Sequence, residues 1–161
     1  MGMVKNVRNS SLPIEKKTYS STYIGQYIHS VDPKNRLFLP ARFRHTKTYI
    51  LTRGLESCLY LYDPEGWEKV LQKLEDLTLP DKMQERAFKR ALLSGAHEVS
   101  TDIQGRILVP QTLKEYAGID EEVIIIGVGN RLEIWDKKRW DTYYKKEADV
   151  SFRDLAGKLE I

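Results

Sequence analysis

Two acid–arginine pairs carry the chemistry that this sequence offers. Asp32 and Arg36 stand four residues apart in Asp32-Pro33-Lys34-Asn35-Arg36-Leu37-Phe38-Leu39-Pro40. Seventy positions later, Asp102 and Arg106 stand the same way in Asp102-Ile103-Gln104-Gly105-Arg106-Ile107-Leu108-Val109-Pro110. An arginine leaving a tight turn presents five donors in a rigid fork, which can grip a phosphate or the O6/N7 edge of a guanine. The same arginine can pair with the aspartate before it and brace its own turn, and both roles can hold together, the carboxylate orienting the guanidinium. Lys34, at the apex of the first turn, has few core roles and suits a phosphate contact. Gln104 occupies the same place in the second copy and offers a neutral amide. Arg42 and Arg44, just downstream, are either solvated helix positions or further phosphate contacts. A rival chemistry pairs Asp32 with Asp102 as the proton-sharing dyad of an aspartic hydrolase. The arginine after each aspartate opposes it by favouring the ionised carboxylate, and neither aspartate sits in an Asp-Thr-Gly setting. No Ser/His/Asp order, phosphate-cradling glycine loop or metal cluster supports other catalysis.

The turns predict the elements that hold these groups. Pro33 fits the second position of a turn, and Asn35 and Gly105 tolerate a left-handed backbone just before the chain extends, so these two brace the turns along with Asp32 and Asp102. Leu37-Phe38-Leu39 and Ile107-Leu108-Val109 are unbroken apolar runs, which predicts short strands buried on both faces. Pro40 and Pro110 then stop each strand and can open a helical turn. The echo continues: Arg44 falls where Lys114 does. Gly54, Leu59, Leu61, Tyr62, Asp63 and Trp67 are answered 73 positions later by Gly127, Leu132, Ile134, Trp135, Asp136 and Trp140. Two copies are too few for a solenoid, so one compact domain with internal pseudo-twofold symmetry is expected.

In chain order, residues 1–21 lack periodicity and read as a flexible tail. Residues 22–96 form a first repeat with a helical connection, and residues 97–161 a second repeat with C-terminal helices. Strands are expected over 22–30, 37–39, 49–54 and 58–62. Trp67, Val70, Leu71, Leu74 and Leu77 recur at helical spacing, and after Leu79-Pro80-Asp81 a second helix takes Met83, Ala87, Phe88, Ala91 and Leu92 as its buried stripe. Strands follow over 97–101, 107–109, 122–127 and 131–135, with a short helix over 110–117. Two helical segments, 136–146 and 149–159, end the chain. The class is α+β, with short strands from both halves forming one barrel-like sheet and helices at its periphery.

Length and composition bound the function. The chain has 161 residues and 41% hydrophobic content, enough for one domain with a real core. No apolar run nears the roughly 20 residues that cross a bilayer, and the N-terminus lacks a secretory stretch, which predicts a protein that stays in the cytoplasm. Cys58, His29, His45 and His97 show no paired zinc spacing, so no metal and no cofactor are expected. The net charge of +3 resides in residues 1–21, and the remainder is balanced. Locally, Asp32 to Lys47 carries Lys34, Arg36, Arg42, Arg44 and Lys47 against Asp32 alone, a net +4, while Glu98 to Lys114 is balanced at zero.

The twinned turns, the pairs Tyr62-Asp63 and Trp135-Asp136, and Trp67 with Trp140 resemble the MraZ family of bacterial proteins from about Thr22 to the end. Each half of that family is an AbrB-like swapped hairpin, so the resemblance implies two such halves around one pseudo-twofold, barrel-like core. It implies that the Asp-x-x-Gly-Arg turns belong to a DNA-binding surface. It further implies a transcription factor, associated with the nucleoid, that acts on the promoter of the division and cell wall gene cluster. Rings of several subunits, octamer-like in size, would meet repeated short boxes in double-stranded promoter DNA, with no membrane and no small-molecule substrate as partner. Asn35 departs from the glycine that the family prefers there, and the N-terminal tail is unusually long. The other readings are an oligomeric scaffold or an antidote-like module that binds a partner protein.

Overall fold

The computed structural model describes residues 22–161; the expected flexible tail, residues 1–21, lies outside the described residues. The first half runs β1 (Gln26–Ser30), β2 (Arg36–Phe38), a 3-10 turn (Ala41–Phe43), β3 (Thr48–Arg53) and β4 (Leu59–Tyr62). Helices α1 (Pro64–Asp76) and α2 (Lys82–Ser94) connect it to the second half. That half repeats the plan with β5 (His97–Ser100), β6 (Arg106–Leu108), α3 (Gln111–Tyr116), β7 (Glu122–Gly127) and β8 (Leu132–Asp136). It ends in α4 (Lys137–Tyr143), a π-helical turn (Tyr144–Ala148) and α5 (Asp149–Ala156).

The pairing shows the exchange between halves. Six strands form one antiparallel sheet in the order β1-β7-β8-β4-β3-β5, and β2 pairs with β6 in a separate ribbon. Replacing each strand by its counterpart four places on turns that order into its own reverse, so the pseudo-twofold axis runs between β4 and β8 and through the ribbon. The first strand of each half is lent to the other: β1 lies on β7 from Gln26↔Ile126 to Ser30↔Glu122, and β5 lies on β3 from Thr48↔Ser100 to Leu51↔His97. This is the swapped-hairpin α+β arrangement that the family resemblance implies, with the pseudo-twofold symmetry expected from the twinned turns.

Alternation builds two apolar layers. Along β7, Val123 and Ile125 face the main core, while Ile124 and Ile126 face a second cluster with Trp135 and Cys58, as period-two side-chain direction requires. The ribbon closes the main core: Leu37 and Ile107, paired with each other, are both 0% exposed and lie in the same cluster as Leu51, Leu59, Ile125 and Ile134. Trp140 and Tyr143 of α4 cover the second cluster. Asp63 caps α1 by accepting from the Gly66 amide at 2.7 Å, and Asp81 caps α2 by accepting from the amides of Met83 and Gln84.

Three expectations are corrected. The short strands are not buried on both faces: Leu37, Leu39, Ile107 and Val109 point inward, but Phe38 is only half-buried and Leu108 is 58% exposed. A two-stranded ribbon covers one face of the core and has no second apolar layer on its outer side, where Phe38 is only partly covered by Arg44 and His29, so an apolar run there need not mean double burial. The stripe of α2 is not buried either: no residue of that helix is, and Met83 and Phe88 are 73% and 51% exposed. Likewise, α1 buries only Leu74 fully. At the C-terminus the two helical segments run on through the π turn, and Phe152, Leu155 and Leu159 are exposed.

Ribbon burial makes a sharp contrast testable by chemical denaturation. Leu37→Ala and Ile107→Ala should each cost about 2–5 kcal/mol, as large-to-small changes in a closed core do. Leu108→Ala, one residue on, should stay within about 0.5 kcal/mol.

Candidate nucleic-acid interface

The outer face of the ribbon collects the sequence-derived candidates. Arg36 is paired with Leu108 and Phe38 with Arg106. Cross-strand partners share a face and residues two apart return to it, so Arg36, Phe38, Arg106 and Leu108 all stand on the side opposite to buried Leu37 and Ile107. The two arginines are two residues apart along the ribbon, about 7 Å at ordinary strand rise. The turns that precede them lie at opposite ends of the ribbon, because its strands are antiparallel.

Each turn is built around its aspartate. Asp32 Oδ1 accepts the amides of Lys34 (2.9 Å) and Arg36 (2.8 Å), and its Oδ2 accepts Arg36 Nε at 2.7 Å. Asp102 does the same for Gln104 and Arg106, with every contact at 2.9 Å. Main-chain bonds from Asn35 to Asp32 and from Gly105 to Asp102 close the bends, and Asn35 (φ 60°) and Gly105 (φ 81°) take the left-handed conformation. These bonds favour the ionised carboxylates: the Arg36 and Arg106 amides first, then the guanidinium forks, hold Asp32 and Asp102 below the usual carboxylate range. A proton-sharing dyad is thereby ruled out, since each carboxylate is fully engaged by its own turn at its own end of the ribbon. The arginines use Nε on aspartate, while their terminal nitrogens make no hydrogen bond among the described residues. Their side chains are 34% and 28% exposed.

The halves also brace one another's turns. Lys114 Nζ, from the second half, donates to Asn35 Oδ1 at 3.1 Å, and Asn35 Nδ2 donates to Gln111 Oε1 at 3.0 Å. In the opposite sense, the Arg44 guanidinium lies over Gly105 and over the Phe38 ring, 5.4 Å from its centroid. A Cβ on residue 105 would fall 2.5 Å from Arg44 Nη1. Main-chain bonds repeat the exchange: the Leu39 amide donates to Gly105 and the Val109 amide to Asn35. The difference between Asn35 and Gly105 therefore follows from what covers each turn. A broad planar guanidinium leaves no room for a side chain at 105, whereas a lysine leaves room for an amide at 35 and uses it.

Lys34 and Gln104 are exposed at the two tips. Arg44 is placed as a brace of the second turn at the ribbon's edge. Arg42 is not brought to a turn: its Nη1 donates to Tyr27 Oη at 3.2 Å, and its guanidinium lies over the rings of Tyr27 and Phe43. Sequence reasoning missed Gln111 as a brace and matched Lys114 only to Arg44; their contact with Asn35 is visible only once β2 and β6 are in register. It also missed the cluster in which Tyr23 Oη donates to Asp63 Oδ2 at 2.9 Å and lies 2.9 Å from His45 Nε2, tying the start of the described chain to the cap of α1. Among the described residues, no group of three or more His, Cys, Asp or Glu could hold a metal ion, and no helix is long and apolar enough to cross a membrane.

Comparison with known proteins matches the chain twice to the family model of the MraZ protein, whose description adds that it is antitoxin-like, over residues 23–91 and 92–159. Among curated proteins, the transcriptional regulator MraZ of Clostridium acetobutylicum is 47% identical over 139 residues, spanning 85% of this chain and 96% of the relative. That of Acetivibrio thermocellus is 45% identical over 141 residues, covering 86% and 97%. That of Clostridium tetani is 43% identical over 139 residues, covering 85% and 96%.

The turn geometry generates two predictions. Gly105→Ala should lose about 1–2 kcal/mol, the ordinary cost of a left-handed L-residue, and should displace Arg44. Asn35→Gly keeps the conformation and should lose less than about 1 kcal/mol, both changes being read by urea denaturation. The carboxylates set a pH dependence. Their folded pKa values lie below the ordinary 3.8, so the bracing is fully present above that value and is lost as pH falls through the depressed values. Acid titration should therefore loosen both turns below about pH 4, with the Gln104 and Lys34 amides losing hydrogen-exchange protection there. Asp32→Asn should remove this response from the first turn alone.

Proposed function

This chain belongs to the MraZ family, and on that premise we propose that it is a sequence-specific regulator of transcription holding double-stranded promoter DNA against the outer face of the β2–β6 ribbon. Two guanidinium forks presented from one rigid face, with their terminal nitrogens free among the described residues, carry this reading. Such forks suit guanine O6/N7 or phosphate. Arg36 and Arg106 are the principal contacts, Lys34 meets phosphate, and Gln104 offers an amide. Arg44 and Arg42 add positive charge at the margin. Asp32, Asn35, Asp102 and Gly105 hold the turns in the halves formed by residues 22–96 and 97–161. The names of the relatives support transcriptional regulation rather than catalysis.

One ribbon is small, so a single subunit neutralises few phosphates and binds weakly. Several linked ribbons gain affinity through effective concentration, and identical subunits close most readily into a symmetric assembly. The uncovered apolar faces of α2 and α5, with Met83, Phe88, Phe152 and Leu155 all more than half exposed, are suited to subunit contact. The full proposal is a closed ring of octamer-like size on repeated short boxes before the division and cell wall gene cluster, at the nucleoid in the cytoplasm. An antidote-like module that binds a protein would use the same helix faces and leave the ribbon idle.

Fluorescence anisotropy on labelled promoter DNA at several salt concentrations tests this. Arg36→Ala and Arg106→Ala should each weaken binding by about 1–3 kcal/mol, and Lys34→Ala should weaken all sequences alike while lowering the salt slope by about 1. Light scattering should give a multimer for the wild type and a smaller mass for Phe88→Glu. Unchanged DNA affinity in both arginine variants removes the ribbon from the site and favours the protein-binding module.

A further inference from the structure

The two turns share a backbone and differ at their tips. Pro33 and Lys34 crown the first, Ile103 and Gln104 the second. Pro33 has a conformational reason to be there, since proline presets the dihedral that the second position of a turn needs. Ile103 has none. Its side chain is 104% exposed, the highest value among the exposed large apolar residues, although burying an isoleucine is worth about 1.5–3 kcal/mol and β-branched residues are poor turn formers. The Gln104 side chain has no hydrogen-bond partner among the described residues, while its backbone amide is held by Asp102. The tip is rigid from below: Asp102 bonds three of its groups and Arg44 packs over Gly105.

Charge separates the turns further. The first stands in a segment of net +4, the second in one of net zero. A phosphate can accept from an amide but offers an isoleucine nothing, whereas a base pair offers complements to both at once. In the major groove, thymine presents an apolar 5-methyl group and adenine presents N6 and N7, which glutamine meets as donor and acceptor together.

We infer that the tip of the second turn reads an adenine–thymine pair in the major groove, Ile103 against the thymine methyl and Gln104 on adenine N6 and N7, while Lys34 at the tip of the first turn anchors phosphate. This rests on the proposed DNA-binding reading and names the base chemistry of that same site. The specificity-determining residues are Ile103 and Gln104, and Lys34 contributes affinity without sequence preference.

The test starts from a library of randomised duplexes enriched on the wild-type protein. The selected site should fix an A·T pair that relaxes in Gln104→Ala, with affinity for the A·T site falling about tenfold in that variant. Replacing thymine by uracil at that pair removes only the methyl group. It should weaken wild-type binding about fourfold, the worth of one buried methyl, and leave Ile103→Ala unchanged. Both side chains are exposed, so the variants should keep the wild-type circular dichroism and melting temperature. A wild type that selects a site from which neither variant departs, or that is indifferent to uracil, overturns the inference while leaving the ribbon's role in DNA binding intact. So does a lower solution mass for Ile103→Ala, which would make this side chain a subunit contact. A wild type that enriches no duplex overturns the inference and the DNA-binding proposal together.

Discussion

A single carboxylate, used twice, governs the shape of the ribbon's outer face. Asp32 and Asp102 each accept two amides on one oxygen and an arginine Nε on the other. With its Nε committed to the carboxylate, the guanidinium presents its outer edge from a bend that cannot relax independently. An exposed ion pair alone contributes little to stability. Here its effect is geometric, because the acceptor is itself fixed by amides of the chain it orients. The paired and the presenting roles of these arginines are thus one arrangement.

The exchange of strands sets a second constraint. Because β1 and β5 lie in the partner half's part of the sheet and β2 meets β6, neither half closes its core alone. The same exchange carries Arg44 to Gly105 and Lys114 to Asn35, so each turn is secured by the half that did not make it. Disturbing one bend therefore loads a side chain on the far side of the pseudo-twofold axis.

Much of this was legible in the residues. The repeat announced the symmetry, and Asn35 and Gly105 announced the left-handed bends, because these depend on local backbone chemistry. What was not legible depends on register or on neighbours. Phe38 and Leu108 sit in apolar runs, yet face outward because their ribbon has a core on one side only. The stripe of α2 has the spacing of a buried helix, but periodicity reports that an apolar face exists and not what covers it. Arg44 and Lys114 were matched by the repeat as equivalents. Their crossing over to the opposite turn emerges only from the pairing of Leu37 with Ile107.

The palindromic strand order has a chemical corollary. Were the two halves separate identical chains, any substitution at one bend would appear at the other, and the face could only ever be self-mirrored. Covalent continuity through α1 and α2 lifts that restriction. Proline and lysine can occupy one tip and isoleucine and glutamine the other on an otherwise symmetric frame, giving the surface a polarity, a distinguishable left and right, that no homodimer of half-chains could acquire.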